Sequence, residues 1–257
     1  MHLKFCKSLL KVRTSTPSVG VYGELGRYPL YVSRFVRIIK YWCKLVSSEN
    51  ILMKTLYKLL LDDCKSGNVN WASNVKQLLD KYGFSYVWSN PYTVNLNTFH
   101  NSFRMKVLDG FKQQWINDLE NSSSLVLYKN YKVTFELESY LCFLPKKFRF
   151  AFTRFRLAAH SLRIVTGRFA PNREERHMRV CNICRCTDIE DEYQLLLVCP
   201  VYEDIRKQYI NSYYYRRPSD FKFIELLQCS SVSVIKRLSK YIYEAFMLRN
   251  AHIQNNI

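Results

Sequence analysis

Three cysteines stand at positions suited to a metal. Cys181 and Cys184 are separated by two residues, and Cys199 follows at the end of an expected helix. Two thiolates at that spacing reach one Zn²⁺ from a single turn, and a tetrahedral site then needs two more ligands. Cys199 supplies a third. The fourth belongs about one helical turn before it, yet position 194 is Gln, and a carboxamide is a poor zinc ligand beside thiolates. Cys186 is close enough to substitute, although its register differs. The metal reading therefore places zinc among Cys181, Cys184, Cys199 and Cys186; the alternative is a lapsed site whose cysteines only pack. A redox dithiol would need a βαβ setting that the surrounding pattern lacks.

Charge is the second signal. The chain of 257 residues carries 39 Lys and Arg against 21 Asp and Glu, a net charge of +18. Between Lys146 and Arg185 there are eleven cations and two acids, half of that surplus in forty residues. Read as one helix over 146–168, Lys146, Arg149, Arg156, His160 and Arg163 share a face and Arg168 follows it. Phe148, Phe152, Phe155, Ala159 and Leu162 form an adjacent apolar face. A cationic face of this kind suits phosphates, which position a nucleic acid without reading its sequence. The expected partner is RNA or DNA, or both. Tyr213–Tyr215 followed by Arg216 and Arg217 either stack on bases or pack on the core.

The elements that must hold these residues read as helices. Apolar steps of three and four predict helices over 30–47 and 50–65, the second with a stripe of Ile51, Leu52, Leu56, Leu59, Leu60 and Cys64. Asn70 caps a third that Gly83 stops. Residues 85–95 read as a loop, and 96–119 as another helix. After the Cys-rich turn at 181–186 an acidic run opens a helix that Pro200 closes, and Pro200 starts the next. The last helix shows Val234, Leu238, Tyr241, Ala245 and Leu248 on one face. The expected fold is mainly α, a multi-helix bundle with a small Cys-rich, zinc-knuckle-like turn. It falls into a helical region (1–145), a basic helix with its knuckle (146–217) and a C-terminal helical region (218–257).

No Walker or dinucleotide glycine motif occurs, and no acidic pair is placed for two-metal chemistry. The chain reads as non-catalytic by itself, with no small-molecule substrate. No apolar run reaches the length of a membrane span. Nine cysteines behind no secretory signal fit a reducing compartment inside the cell, the nucleus ahead of the cytoplasm.

Several stretches together resemble the region downstream of the polymerase in non-LTR (LINE-like) retrotransposon reverse transcriptases. They are VYGELGRYPLYVSRFVRIIKYWCKL (21–45), FRMKVLDGFKQQWINDL (103–119), RFRLAAHSLRIVTGRF (154–169) and CNICRCTDIEDEYQLLLVCPVYEDIR (181–206). The resemblance matches Cys181, Cys184 and Cys199 to the family's metal-type cysteines and puts Gln194 where the family has His. It implies a module that contacts the element's RNA and assists reverse transcription. The polymerase's Tyr/Phe-x-Asp-Asp motif does not occur here, so the resemblance implies a fragment without that activity. The other expectation is a retroelement relic without function, or a helical interaction scaffold.

Overall fold

The computed structural model describes residues 1–169, 173–184 and 186–255. Arg185, the last cation of the basic stretch, lies outside them. Among the described residues the fold is helical and holds no strand. A single antiparallel bridge, Val180 with Ile189, frames the Cys-rich turn. No helix there is long and apolar enough to cross a membrane. The chain forms two compact units, Met1–Arg27 with Asp118–Ile257 and Tyr28–Asn117. These cuts differ from the boundaries at 145 and 217 drawn from composition.

The first unit opens with α1 (His2–Leu10), which buries Cys6 and Leu10 and ends at Lys11 in the left-handed conformation (φ 55°). α2 (Ser18–Leu25) ends at Gly26, φ 53°. A β-carbon there would lie 2.3 Å from the Leu137 backbone nitrogen, so this glycine serves a close chain crossing.

The second unit contains α3 (Leu30–Val46), α4 (Ile51–Lys65), α5 (Trp71–Lys81), α6 (Ser85–Ser89) and most of α7 (Leu96–Glu120). Its core takes Ile39, Trp42 and Val46 from α3, Val75 and Leu79 from α5, and Phe99, Phe103 and Val107 from α7. Asn70 and Ser73 cap α5 reciprocally. Residues 85–95 are more regular than a loop, with α6 and a 3-10 turn at Pro91–Thr93. α4 forms where expected but buries none of its residues, and Ile51, Leu52, Leu56 and Leu59 are exposed. Two hydrogen bonds attach it: Trp42 Nε1 donates to the Tyr57 hydroxyl (2.8 Å) and Asn70 Nδ2 to the Leu60 carbonyl (2.8 Å).

The first unit resumes with the short α8 (Tyr128–Tyr131) and α9 (Tyr140–Phe143), then α10 (Lys146–Arg156) and α11 (Arg163–Thr166). After the Cys-rich turn come α12 (Glu203–Tyr209), α13 (Ser212–Tyr215), α14 (Asp220–Gln228) and α15 (Val232–Asn255). Its central packing sets α10 against α15, with Phe152 and Phe155 on one and Leu238, Tyr241 and Ala245 on the other buried. The single helix expected over 146–168 is broken. α10 stops at Arg156, Ala158 takes a left-handed φ of 48°, and the Ala159 amide donates back to the Arg154 carbonyl (2.8 Å). This is the hydrogen bond of a left-handed helix stop, without its usual glycine. Ala159 and Leu162 remain buried beyond the break, so the apolar spacing continued while the helix did not.

Candidate metal centre and the basic residues

The Cys-rich turn is a tight loop pinned at both ends. The Cys181 amide donates to the Asp188 carbonyl (3.0 Å) and the Glu190 amide to the Arg179 carbonyl (2.8 Å). The helix that carries Cys199 is wound wide over Gln194–Val198, with the Cys199 amide donating to the Gln194 carbonyl (2.8 Å), five residues back. In an α-helix five residues turn through about 500°, leaving Gln194 and Cys199 about 140° apart. The i→i+5 turn closes much of that gap. Two side chains satisfy its carbonyls. Arg206 donates to Leu196 O (2.9 Å) and Cys199 O (2.7 Å), and the Tyr241 hydroxyl donates to Leu195 O (2.6 Å).

This geometry brings the sulfurs of Cys181, Cys184 and Cys199 within 4.8 Å of one another. Tetrahedral zinc with Zn–S bonds near 2.3 Å sets its sulfurs about 3.8 Å apart, so small side-chain movements suffice. Cys186 does not join: it is exposed, and its thiol turns onto the Cys184 carbonyl (3.6 Å). The Cys181 thiol is held down to about 5, first by the Cys199 thiol donating to it, against the effect of burial. Burial pushes Cys184 up to about 11, and sharing its proton with Cys181 raises Cys199 as well. The three groups titrate as a coupled set whose first proton leaves most readily from Cys181. Gln194 is buried beside it, with Nε2 donating to Cys184 Sγ (3.4 Å), while Oε1 is buried with no partner. Three cysteine sulfurs are a donor set that fits a thiophilic ion, and the unsatisfied amide oxygen beside them is a harder donor.

The acidic run does more than face a helix terminus. Asp191 Oδ1 does accept the Gln194 amide (2.9 Å). Glu190, however, turns inward to a two-bond pair with Arg249 of α15 (2.7 Å each) and accepts the Arg163 amide (2.8 Å). Glu192 accepts from His160 Nε2 (2.9 Å). Sequence reading missed Arg206, Arg249 and Tyr241 because their partners lie 7 to 59 residues away.

The five basic residues expected on one face, and Arg168 after them, are dispersed by the break after α10. Lys146 is exposed, and Arg149 is half-buried and donates to Leu141 O (3.1 Å). Arg156 is a correction: it is 4% exposed and paired with Glu24 (3.0 Å) and Glu138 (3.2 Å), out of reach of any phosphate. His160 is likewise buried, on Glu192 and stacked on Phe246. Arg163 pairs with Glu174 (2.7 Å) and with Asn182 Oδ1 inside the Cys-rich turn (2.6 Å). Arg168 is half-buried, its pKa lowered first by burial and then by Arg179. Tyr213 is exposed and lies over Lys222 (4.5 Å), whereas Tyr214 and Tyr215 are half-buried. Compared with known protein families, with curated proteins and with solved structures, the chain matches none.

Proposed function

We propose that this chain is a nucleic-acid-binding module, the region that follows the polymerase in a non-LTR retrotransposon reverse transcriptase, with no catalytic step of its own. The observation that carries the reading is where the charge resides. The inward-facing carboxylates Glu24, Glu138 and Glu190 are matched by the buried cations Arg156, Lys132 and Arg249. Interior pairing consumes acids and bases nearly alike, with Arg179 and Arg206 also buried on backbone carbonyls, so most of the surplus of +18 is left outside the interior. Such a surface attracts phosphate backbones whatever their sequence. Cys181, Cys184 and Cys199 would hold zinc, with Gln194 packed beside them and hydrogen-bonded to Cys184 Sγ. The ion would supply a cross-link between the turn and the widened helix.

Titration of the purified chain into labelled RNA and duplex DNA across a salt series tests the reading. The expected result is sub-micromolar binding whose log–log salt slope reports several phosphate contacts, with one zinc per chain that Cys199→Ser loses. No binding at about 100 mM salt, where such modules still hold nucleic acid, would overturn it in favour of a relic or scaffold.

A further inference from the structure

We propose that the nucleic acid is single-stranded and lies in a cleft between α1, α10 and α15, where His160 is the one lining residue from the expected basic face. The inference rests on the nucleic-acid reading above and gives it a place and a ligand class. The cleft measures about 1320 Å³ and is lined by Lys4, Lys7, Lys11, Arg13, Lys147 and Arg154 without a single acidic residue. Among the described residues no carboxylate lies within ion-pair distance of any of the six. Six cations brought together without counter-charge repel one another unless an anion joins them.

The cleft is built into the fold. Lys4, Lys7 and Lys11 recur at steps of three and four, which places them along one side of α1 and its end. Lys147 and Arg154 are two turns apart on the facing side of α10. The left-handed residue that stops α1 also fixes the junction, because the Arg154 Nε–H donates to the Lys11 carbonyl (2.8 Å). Lys7 Nζ in turn holds the Thr14 carbonyl, folding the 11–14 segment over the end of the cleft.

Shape and lining select the polyanion. The volume exceeds the 300–1,000 Å³ typical of a small-ligand site, and the cations run along two helices instead of converging on one point. An extended ligand fits that layout better than a lone phosphate. The apolar lining comes from Phe150 on α10 with Tyr243 and Phe246 on α15, all half-buried. Phe246 already stacks on His160, so Phe150 and Tyr243 are the lining rings on which unpaired bases would stack while phosphates meet lysine and arginine. In a duplex the bases are already stacked on one another, and a recess walled by three helices admits only its edge.

The test compares the full chain with Lys4→Glu/Lys147→Glu, with Phe150→Leu, and with Lys58→Glu/Lys76→Glu, a charge-matched control at exposed positions of the second unit. Each binds labelled single-stranded RNA and DNA, the matching duplexes, and polyglutamate as a competitor. The chain should prefer single strands. The cleft pair should weaken binding at least tenfold and flatten the salt slope by about 1.4, two single-strand phosphate contacts at about 0.7 each. Phe150→Leu should weaken binding about tenfold, the loss of one base stack, and leave the slope unchanged; the control should keep most of the affinity. Wild-type protein that binds no nucleic acid would remove both this inference and the reading beneath it. Binding that the cleft variants share with the control would overturn the cleft and leave the module reading standing. A preference for duplex, or equal competition by polyglutamate, would overturn the single-strand assignment.

Discussion

Arg156 shows how a residue's chemistry depends on what surrounds it. Its guanidinium meets Glu24 and Glu138, donates to the Leu227 carbonyl (3.4 Å), and lies over the rings of Tyr131 (4.9 Å) and Tyr140 (5.5 Å). Burial alone would favour losing its proton, but the Glu24 and Glu138 carboxylates outweigh that and keep it charged. Removing one partner of such a group leaves charge buried and unanswered, which costs about 3–5 kcal/mol. Arg156→Met should therefore lower the urea-unfolding stability by that amount, and Glu24→Gln in the same chain should restore part of it. The surviving folded fraction should bind nucleic acid as wild type does. A loss under about 1 kcal/mol would mean that water reaches Glu24 and that the pair is not desolvated. Arg154, two residues earlier on α10, is exposed and faces the cleft. Neighbouring arginines on one short helix thus serve the interior and the surface.

At the level of the helix, the stop after α10 decides which basic residues can act together. Ala158 holds a left-handed backbone that costs an L-residue about 1–2 kcal/mol and glycine almost nothing. Ala158→Gly should accordingly stabilise the first unit by up to about 1 kcal/mol, a rise of about 2–4 °C in Tm. A fall would indicate that the chain prefers a continuous helix there, and the expected basic face would have to be reconsidered. The stop was not legible in the sequence because no glycine marks it and the apolar steps run through it to Leu162. α3, α5 and α7 were legible, since each has a strong apolar stripe and α5 also has an Asn cap. α4 was half legible: its helix forms, but Ile51, Leu52, Leu56 and Leu59 of its stripe stay exposed and only Leu60 and Cys64 are half-buried. α1 is short, rich in lysine and without a side-chain cap, so Lys4, Lys7, Lys11 and Arg13 speak in the sequence only against a secretory signal and not for a shared face. The cysteine cluster was legible because Cys181 and Cys184 are local. The approach of Gln194 depends on a widened turn that residue types alone do not announce.

Across the first unit, the interior is polar enough to be sensitive to alkali. Tyr128, Tyr131 and Tyr140 surround Arg156, and Tyr241 lies under the widened helix. Burial first, joined by the Glu24 carboxylate at the first three, raises their pKa values well above the usual tyrosine range; burial raises Tyr241 as well. In the unfolded chain each ionises near pH 10. A group whose folded pKa lies higher contributes stability that is complete below the unfolded value and is lost as pH climbs past it. Each tyrosine then removes up to about 1.4 kcal/mol per pH unit, and the four together roughly 5 kcal/mol per unit above pH 10. Urea midpoints should stay level from pH 8 to about 10 and drop steeply beyond, with these four tyrosines and Tyr202, whose pKa burial also raises, gaining tyrosinate absorbance only as the unit unfolds. A smooth ionisation of those four near pH 10 in a still-folded chain would mean that the interior admits hydroxide and water. The same packing that withholds these hydroxyls from solvent buries Arg156 and His160, so the proposed contact with a polyanion falls to Lys4, Lys147, Arg154 and their exposed neighbours.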